Sequence, residues 1–403
     1  MKILQINAVN RFGSTGRTCK ELADYINQSN ENICYTAFSV GEQQEYEYQI
    51  GSKLDRKLHA FLSRLTCRQG WFSARATRKL IGFMEQIQPD VVHLRNLHSN
   101  FVNVPMLLKY LAKKDIATVV TLHDCWFYTG KCCHYTVENC SKWKSGCYDC
   151  PQLRKGNASW FFDATDRVWL KKKALFEALP RLAVVGVSEW ITEEARQSFL
   201  RCAKEVVRIY NWIDLDTFTR KETAEELRNC YAPNGEKIIL GVASGWSKNK
   251  GLDDFLKLAK LLGETYRICL VGGMPKGIEL PKNVCHIPTT NSPDALAELY
   301  SMADVFVTLS AEETFGKVSA EALACGTPVV CYDSTANKEL VGSGCGEVCA
   351  LGDLQAIADA VKTICKREDP NVAERCRTFA EENFSKEQRI LDYLSLYESM
   401  LSQ

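Results

Sequence analysis

Short apolar runs alternate along the chain with stretches whose apolar residues recur at helical spacing. The first half carries the runs KILQINAV, ICYTAFSV, DVVHLRN, ATVVTLHD, RLAVVGVS and VVRIYNWID. Helices are predicted between them near Thr18 to Gln28, through a long basic region, and near Val104 to Lys113. The rhythm then restarts with KIILGVAS, YRICLVGG, NVCHIPTT, DVFVTLS and PVVCYD, interleaved with helices near Asp253 to Leu262, Pro293 to Met302, Ser319 to Ala324 and Leu354 to Lys366. Runs that lack polar alternation suit strands buried on both faces, so the pattern predicts an α/β protein of two Rossmann-like domains with parallel sheets. The boundaries fall at 1–209, carrying a cysteine-rich insertion at 125–150, and 210–385. The last segment, 386–403, reads as an amphipathic helix whose stripe is Ile390, Leu391, Tyr393, Leu394, Tyr397 and Leu401.

A chain of 403 residues exceeds a comfortable single core, in keeping with two domains. Fifty Lys and Arg against 49 Asp and Glu leave a formal charge of +1, which excludes a globally basic nucleic-acid binder. The opening MKILQINAVN reads as a strand and not as a secretory signal, and no apolar run is long enough to span a bilayer. The expectation is a cytoplasmic protein, with any membrane contact peripheral and on the inner face. Residues 53–79 carry eight cations and one acid, Asp55, with Leu54, Leu58, Phe61, Leu62 and Leu65 at helical spacing. A basic amphipathic helix can lie on an anionic membrane surface; the alternative is a solvated helix packed on its own sheet.

The richest chemistry lies in SAEETFGKVSAEALACGTPVV. Phe315, Gly316 and Lys317, candidate donor-binding residues, form a turn into a helix that ends before Gly326, Thr327 and Pro328, so Glu313 precedes the helix and Glu321 lies within it. Unpaired N–H groups at a helix start suit a phosphate, and flanking carboxylates suit sugar hydroxyls, which together point to a nucleotide sugar. The loop NRFGSTGRT places Gly13 and Gly16 where backbone N–H groups could approach a diphosphate, without the three-glycine dinucleotide fingerprint. His123 ends an apolar strand at the mouth of a sheet, and His93, Arg95, Asn96 and His98 end the preceding one as candidate acceptor contacts. Nineteen cysteines are scattered, but six fall between Cys125 and Cys150. Cys132, Cys140, Cys147 and Cys150 could hold a structural zinc; buried free thiols and disulfides remain open alternatives, and Cys125, Cys133 and His134 are further possible ligands. Trp126, Phe127, Tyr128 and Trp143 in the same insertion could stack on an acceptor sugar.

The Glu313-to-Glu321 string with its Gly-Thr-Pro-Val-Val ending resembles the donor-site signature of the retaining group 1 glycosyltransferases, and the domain pattern resembles their GT-B architecture of two facing Rossmann-like domains with an interdomain cleft. The resemblance implies that Glu313 contacts the transferred sugar and Glu321 the ribose, that Lys250 grips the donor diphosphate, and that Gly13 and Gly16 lie beside it. It implies a reactive-centre position for His123, a loop under the base for Gly272 and Gly273, and a last helix that crosses back to the first domain. Relatives place an arginine where this chain has Gly245, so Lys248 is expected to replace it. The implied reaction moves a sugar from a nucleoside diphosphate sugar to a saccharide or lipid-linked saccharide in capsule, O-antigen or exopolysaccharide synthesis. With no Asp-x-Asp motif after a strand, no catalytic metal is expected. The competing classes are an oxidoreductase or epimerase, disfavoured by the missing fingerprint, and a catalytically silent nucleotide-sugar-binding or scaffold protein.

Overall fold

The computed structural model describes residues 1–29, 31–290, 292–367 and 369–402. It divides into one unit of Met1–Ile209 together with the chain from Ile390 onward, and a second of Tyr210–Arg389.

The first unit holds a parallel sheet of β1 (Lys2–Ile6), β2 (Ile33–Phe38), β3 (Glu47–Gln49), β4 (Val91–Leu94), β5 (Ala117–Leu122), β6 (Leu182–Gly186) and β7 (Glu205–Arg208), in the order β3-β2-β1-β4-β5-β6-β7. Every residue of β4, β5 and β6 is buried, as befits strands covered by helices on both faces. The second unit repeats the plan with β8 (Lys237–Gly245), β9 (Tyr266–Gly273), β10 (Val284–Ile287), β11 (Val305–Thr308), β12 (Val329–Asp333) and β13 (Gly346–Ala350), in the order β10-β9-β8-β11-β12-β13. Two strands lie outside the sequence expectation. Both β3 and β13 are edge strands of mixed polarity, EYQ and GEVCA, and so carry no apolar signature.

Helices match the periodicity where an apolar stripe exists. Pro293–Met302 and Leu354–Lys366 fall where predicted, each opened by a side-chain cap, Ser292 and Asp353 respectively. The long basic region is two helices, Lys53–Thr66 and Ala74–Ile87. Ser52 and Asp55 form a reciprocal capping box at the start of the first, and Cys67 ends it in the left-handed conformation.

The final helix, Lys386–Ser402, buries Ile390, Tyr393, Leu396, Tyr397 and Met400. Its expected stripe is therefore corrected: Leu391 points outward at 46% exposure, while Leu396 and Met400 take inward places. The helix is pinned to the first sheet by polar bonds within its apolar face. Tyr397 Oη lies 2.7 Å from His93 Nδ1, Thr121 Oγ1 lies 2.7 Å from His93 Nε2, and Tyr393 Oη lies 3.0 Å from Thr121 Oγ1. Tyr397→Phe strands one ring nitrogen of a fully buried histidine, so it should lower unfolding stability by about 1–3 kcal/mol in urea titrations; an unchanged midpoint would show that the bond contributes nothing.

Candidate functional site

In open parallel sheets ligands bind beyond the carboxyl ends of the strands where the order reverses. In the second unit that point lies between β8 and β11. The loop after β8 makes a short turn, Lys248–Lys250, and Gly251 then opens the next helix at φ 76°. A Cβ on Gly251 would sit 2.4 Å from the Leu309 carbonyl, so only glycine lets this loop close against the end of β11. Ala311 N–H donates to the Asn249 carbonyl at 3.1 Å, joining the two loops. Lys250 Nζ lies 2.5 Å from Glu313 Oε1, with both side chains partly exposed. The Glu313 backbone is held in turn, its N–H donating to Thr335 Oγ1 at 2.8 Å and its carbonyl accepting from Ala336 N–H at 3.2 Å.

The helix Lys317–Ala324 starts from Gly316 at φ 87° with no side-chain cap. A Cβ at Gly316 would meet Leu340 at 2.9 Å and would lie 3.7 Å from Asn337 Oδ1 and 3.9 Å from Ser319 Oγ. Both of those oxygens are buried without a hydrogen-bond partner. The bare helix start and the unpartnered Ser319 hydroxyl offer donors to an anion, whereas Asn337 Oδ1 can only accept and suits a hydroxyl. At the end of β9, Gly272 at φ 118° lies so close to the Ala243 carbonyl that a Cβ would stand 1.7 Å away, and the Gly273 carbonyl accepts from Trp246 N–H at 2.7 Å. Gly245 faces open space and Lys248 is exposed on the neighbouring turn.

Two candidate donor residues sit deeper than the sequence suggested. Phe315 is 3% exposed and packs its ring against Tyr210 and Phe384 at centroid distances of 6.0 and 5.5 Å, so its side chain anchors the turn and presents no ring to a ligand. Glu321 is 5% exposed and accepts from Tyr300 Oη at 3.1 Å. Tyr300 was not foreseen, because it lies on a separate helix and nothing in the sequence pattern couples it to Glu321.

In the first unit the reversal lies between β1 and β4. Gly13 opens the helix Gly13–Asn27 at φ 66°, and a Cβ at Gly16 would lie 2.9 Å from Val9 and 3.1 Å from Arg11 N, so the loop after β1 folds tightly onto the helix. Asn96 N–H donates to Asn7 Oδ1 at 3.1 Å, tying the loops after β1 and β4. His93 and Arg95 are corrected from acceptor contacts to internal groups. His93 is wholly buried with both ring nitrogens engaged, and Arg95, 1% exposed, donates to Gln5 Oε1 and Thr18 Oγ1 at 2.8 and 2.9 Å. Arg95 also stands 3.4 Å from His123 Nε2. Burial, reinforced by that guanidinium, pushes the His123 imidazole down to about 3, so it is neutral at physiological pH.

His98 Nε2 lies 2.8 Å from Asp124 Oδ2. Burial opposes charge on His98, but Asp124 and the Cys133 thiol overcome it and hold the imidazole well above its usual value. Asp124 is likewise lowered against its burial, chiefly by His98. Donor atoms of His98, Asp124 and Cys133 lie within 4.8 Å of one another, but the imidazole, held protonated, donates to Asp124 and offers no lone pair to a cation. Cys132, Cys140, Cys147 and Cys150 line one small cavity with Trp143 and Tyr148. Cys147 Sγ accepts from Gly130 N–H at 3.2 Å, and the free thiols of Cys132 and Cys150 are hydrogen-bonded to each other. Trp126, Phe127, Tyr128 and Trp143 are each at most 3% exposed, so they form the insertion's core and do not offer faces to a sugar.

Two families match the chain: residues 15–217 match Glycosyltransferase Family 4, and residues 223–383 match the glycosyl transferases group 1. The chain belongs to the group 1, family 4 glycosyltransferases. It is 29% identical over 230 residues, 54% of this chain, to an N-acetyl-alpha-D-glucosaminyl L-malate synthase of Bacillus anthracis, of which the match covers 60%. It is 22% identical over 328 residues, 77% of either chain, to a protein of Escherichia coli K12 named as a colanic acid biosynthesis glycosyl transferase. Sucrose-phosphate synthase of Thermosynechococcus elongatus shares the GT-B fold at TM-score 0.73 and 16% identity, covering 100% of this chain and 99% of that one. An Anabaena protein, HepE, solved with UDP and glucose, does so at TM-score 0.67 and 16% identity, covering 99% and 100%.

The His98–Asp124 pair generates a pH signature. The raised His98 contributes fully below its unfolded value of about 6.5 and loses that contribution as pH rises through the folded one, whereas the lowered Asp124 contributes above about 3.8. His98→Asn should therefore cost roughly 2 kcal/mol near pH 6 and less near pH 9. Thermal melts at the two pH values check this, and an equal loss at both would exclude the charged pair.

Proposed function

We propose that this chain is a retaining glycosyltransferase that moves a sugar from a nucleoside diphosphate sugar to a hydroxyl of a saccharide or lipid-linked saccharide in surface polysaccharide synthesis. The observation that carries the reading is the Lys250–Glu313 pair beside the uncapped helix start at Gly316, at the reversal point of the second sheet. The UDP and glucose of the Anabaena neighbour and the colanic acid assignment of the Escherichia coli relative support donor class and pathway.

In this reading an arriving diphosphate takes Lys250 away from Glu313. The ammonium and the N–H groups at the start of Lys317–Ala324 then stabilise the charge that develops on the leaving phosphate. Glu313, released, accepts hydrogen bonds from the hydroxyls of the transferred sugar, while Glu321 serves the ribose. Lys248 supplies the second cation that relatives draw from arginine, as a point charge without the guanidinium fork. Gly272 and Gly273 let the base approach the backbone. The acceptor hydroxyl attacks from the face the phosphate leaves, and the phosphate takes its proton, so neither Glu313 nor the neutral His123 is needed as a nucleophile or strong base. His123 instead polarises or positions a hydroxyl.

Glu313→Ala should abolish transfer while leaving nucleoside diphosphate affinity unchanged or tighter, since Lys250 loses its competing partner. Glu321→Ala should weaken that affinity by about tenfold, the loss of one good hydroxyl contact. Calorimetric titration with UDP, GDP and ADP, after a thermal-shift panel of the corresponding sugars, separates the two; equal effects on nucleotide binding would overturn the division of roles.

We also propose that Cys132, Cys140, Cys147 and Cys150 bind a structural zinc: the four line one cavity, and because no three of their sulfurs lie within 4.8 Å of one another, the ion would draw them together. Protein prepared anaerobically should carry about one zinc per chain. Zinc-free protein that melts at the same temperature with and without added metal would refute this.

A further inference from the structure

The helix Lys53–Thr66 is amphipathic but faces the wrong way for a helix that covers its own sheet. Its buried residues are His59 and Ser63. His59 is satisfied internally, Nδ1 lying 2.8 Å from Ser73 Oγ and Nε2 accepting from Gly70 N–H at 3.2 Å. The apolar residues at positions i, i+4 and i+7 point outward instead, with Leu54, Leu58 and Phe61 exposed at 75%, 57% and 49%. A packed surface helix normally does the opposite.

A second segment enlarges this face. Trp160 N–H donates to the Arg64 carbonyl at 2.7 Å, and the Trp160 ring meets Phe61 edge-on at 5.8 Å. That contact brings the run Trp160, Phe161 and Phe162, exposed at 40%, 65% and 61%, beside the helix. Six large apolar side chains from two separate parts of the sequence thus share one exposed surface. Lys53, Lys57, Arg64 and Arg68 are exposed along the same helix and its end, with Arg154 on the turn leading to Trp160, while Lys155 there is paired with Glu138. The acids of these segments are engaged locally: Asp55 caps Ser52, and Asp163 accepts from Thr165 Oγ1 at 2.6 Å. What remains is an apolar face bordered by cations.

We infer that the face formed by Lys53–Thr66 and residues 160–162 docks on an anionic lipid bilayer. Leu, Phe and Trp side chains enter the headgroup and acyl boundary, where an aromatic ring gains most, and the flanking cations are drawn to acidic lipid headgroups. A protein partner or a second copy would bury the same apolar groups, but a second copy would bring Lys53, Lys57, Arg64 and Arg68 against their own kind, which charge repulsion disfavours. The docking gives the lipid-linked acceptor of the preceding reading a physical route to the enzyme and takes its purpose from that reading. Docking itself needs neither donor nor acceptor.

Flotation of the full chain with vesicles of phosphatidylcholine alone, and of phosphatidylcholine mixed with phosphatidylglycerol, tests it in the absence of any sugar. The chain should float with the mixed vesicles, less with phosphatidylcholine alone, and progressively less as salt rises. The double variant Phe161→Ser, Phe162→Ser should reduce binding by about tenfold or more, and Lys57→Glu with Arg64→Glu should remove the preference for phosphatidylglycerol. All four side chains are exposed, so circular dichroism and UDP-sugar binding should match the parent chain. Equal flotation of parent and variants, flotation indifferent to phosphatidylglycerol, or a dimer in vesicle-free solution that the double phenylalanine variant dissociates would each overturn the assignment. Loss of docking with donor binding intact would sink this inference alone; loss of donor binding by the parent chain would sink the transferase reading and leave docking standing.

Discussion

Parallel strands joined by helical crossovers must all present their carboxyl ends at the same edge, and where strand order reverses the two neighbouring connections leave in opposite directions. The crevice that opens there is a consequence of topology, before any side chain is chosen. Both units obey this constraint, between β1 and β4 and between β8 and β11, and the chemistry follows it. Lys250 and Glu313 meet because their loops are the two that diverge at the second reversal. Asn7 and Asn96 meet for the same reason at the first.

Glycine carries much of the local fitting at these edges. Gly251 and Gly272 are positions where backbone passes against backbone, and a single Cβ would occupy space already filled by a carbonyl. Gly316 differs, because it adopts a left-handed conformation to start a helix without a side-chain cap. A serine or aspartate there would have closed the helix start with its own oxygen; glycine leaves the N–H groups available.

All strands but β3 and β13 were readable because they are continuous apolar runs, and Pro293–Met302 because Ser292 and Pro293 mark its start. The places of Glu313, Gly316 and Lys250 between a strand and a helix were readable from the local pattern, whereas the roles given them come from the family resemblance and stand as part of the proposed function. The histidines were not. His93 lies within the apolar run of β4 and His123 directly follows that of β5, yet one is wrapped by Tyr397 and Thr121 and the other stands beside Arg95. Those partners come from distant parts of the chain, and a strand residue's inward or outward sense depends on them. Likewise Lys53–Thr66 has a stripe that any helical reading finds, but whether Leu58 or His59 faces inward is decided by Ser73 and Gly70. Tyr300 was invisible for the same reason.

The contact between Lys250 and Glu313 makes the site self-neutralised before any ligand arrives. A lone lysine would lose affinity for a diphosphate steeply as ions accumulate around both. Here salt weakens the resident carboxylate's hold on the ammonium at the same time as it screens the incoming phosphate, and the two effects oppose one another. If the pair receives a diphosphate as proposed, that affinity should vary gently with ionic strength, the glutamate acting as an electrostatic buffer for the cation it accompanies.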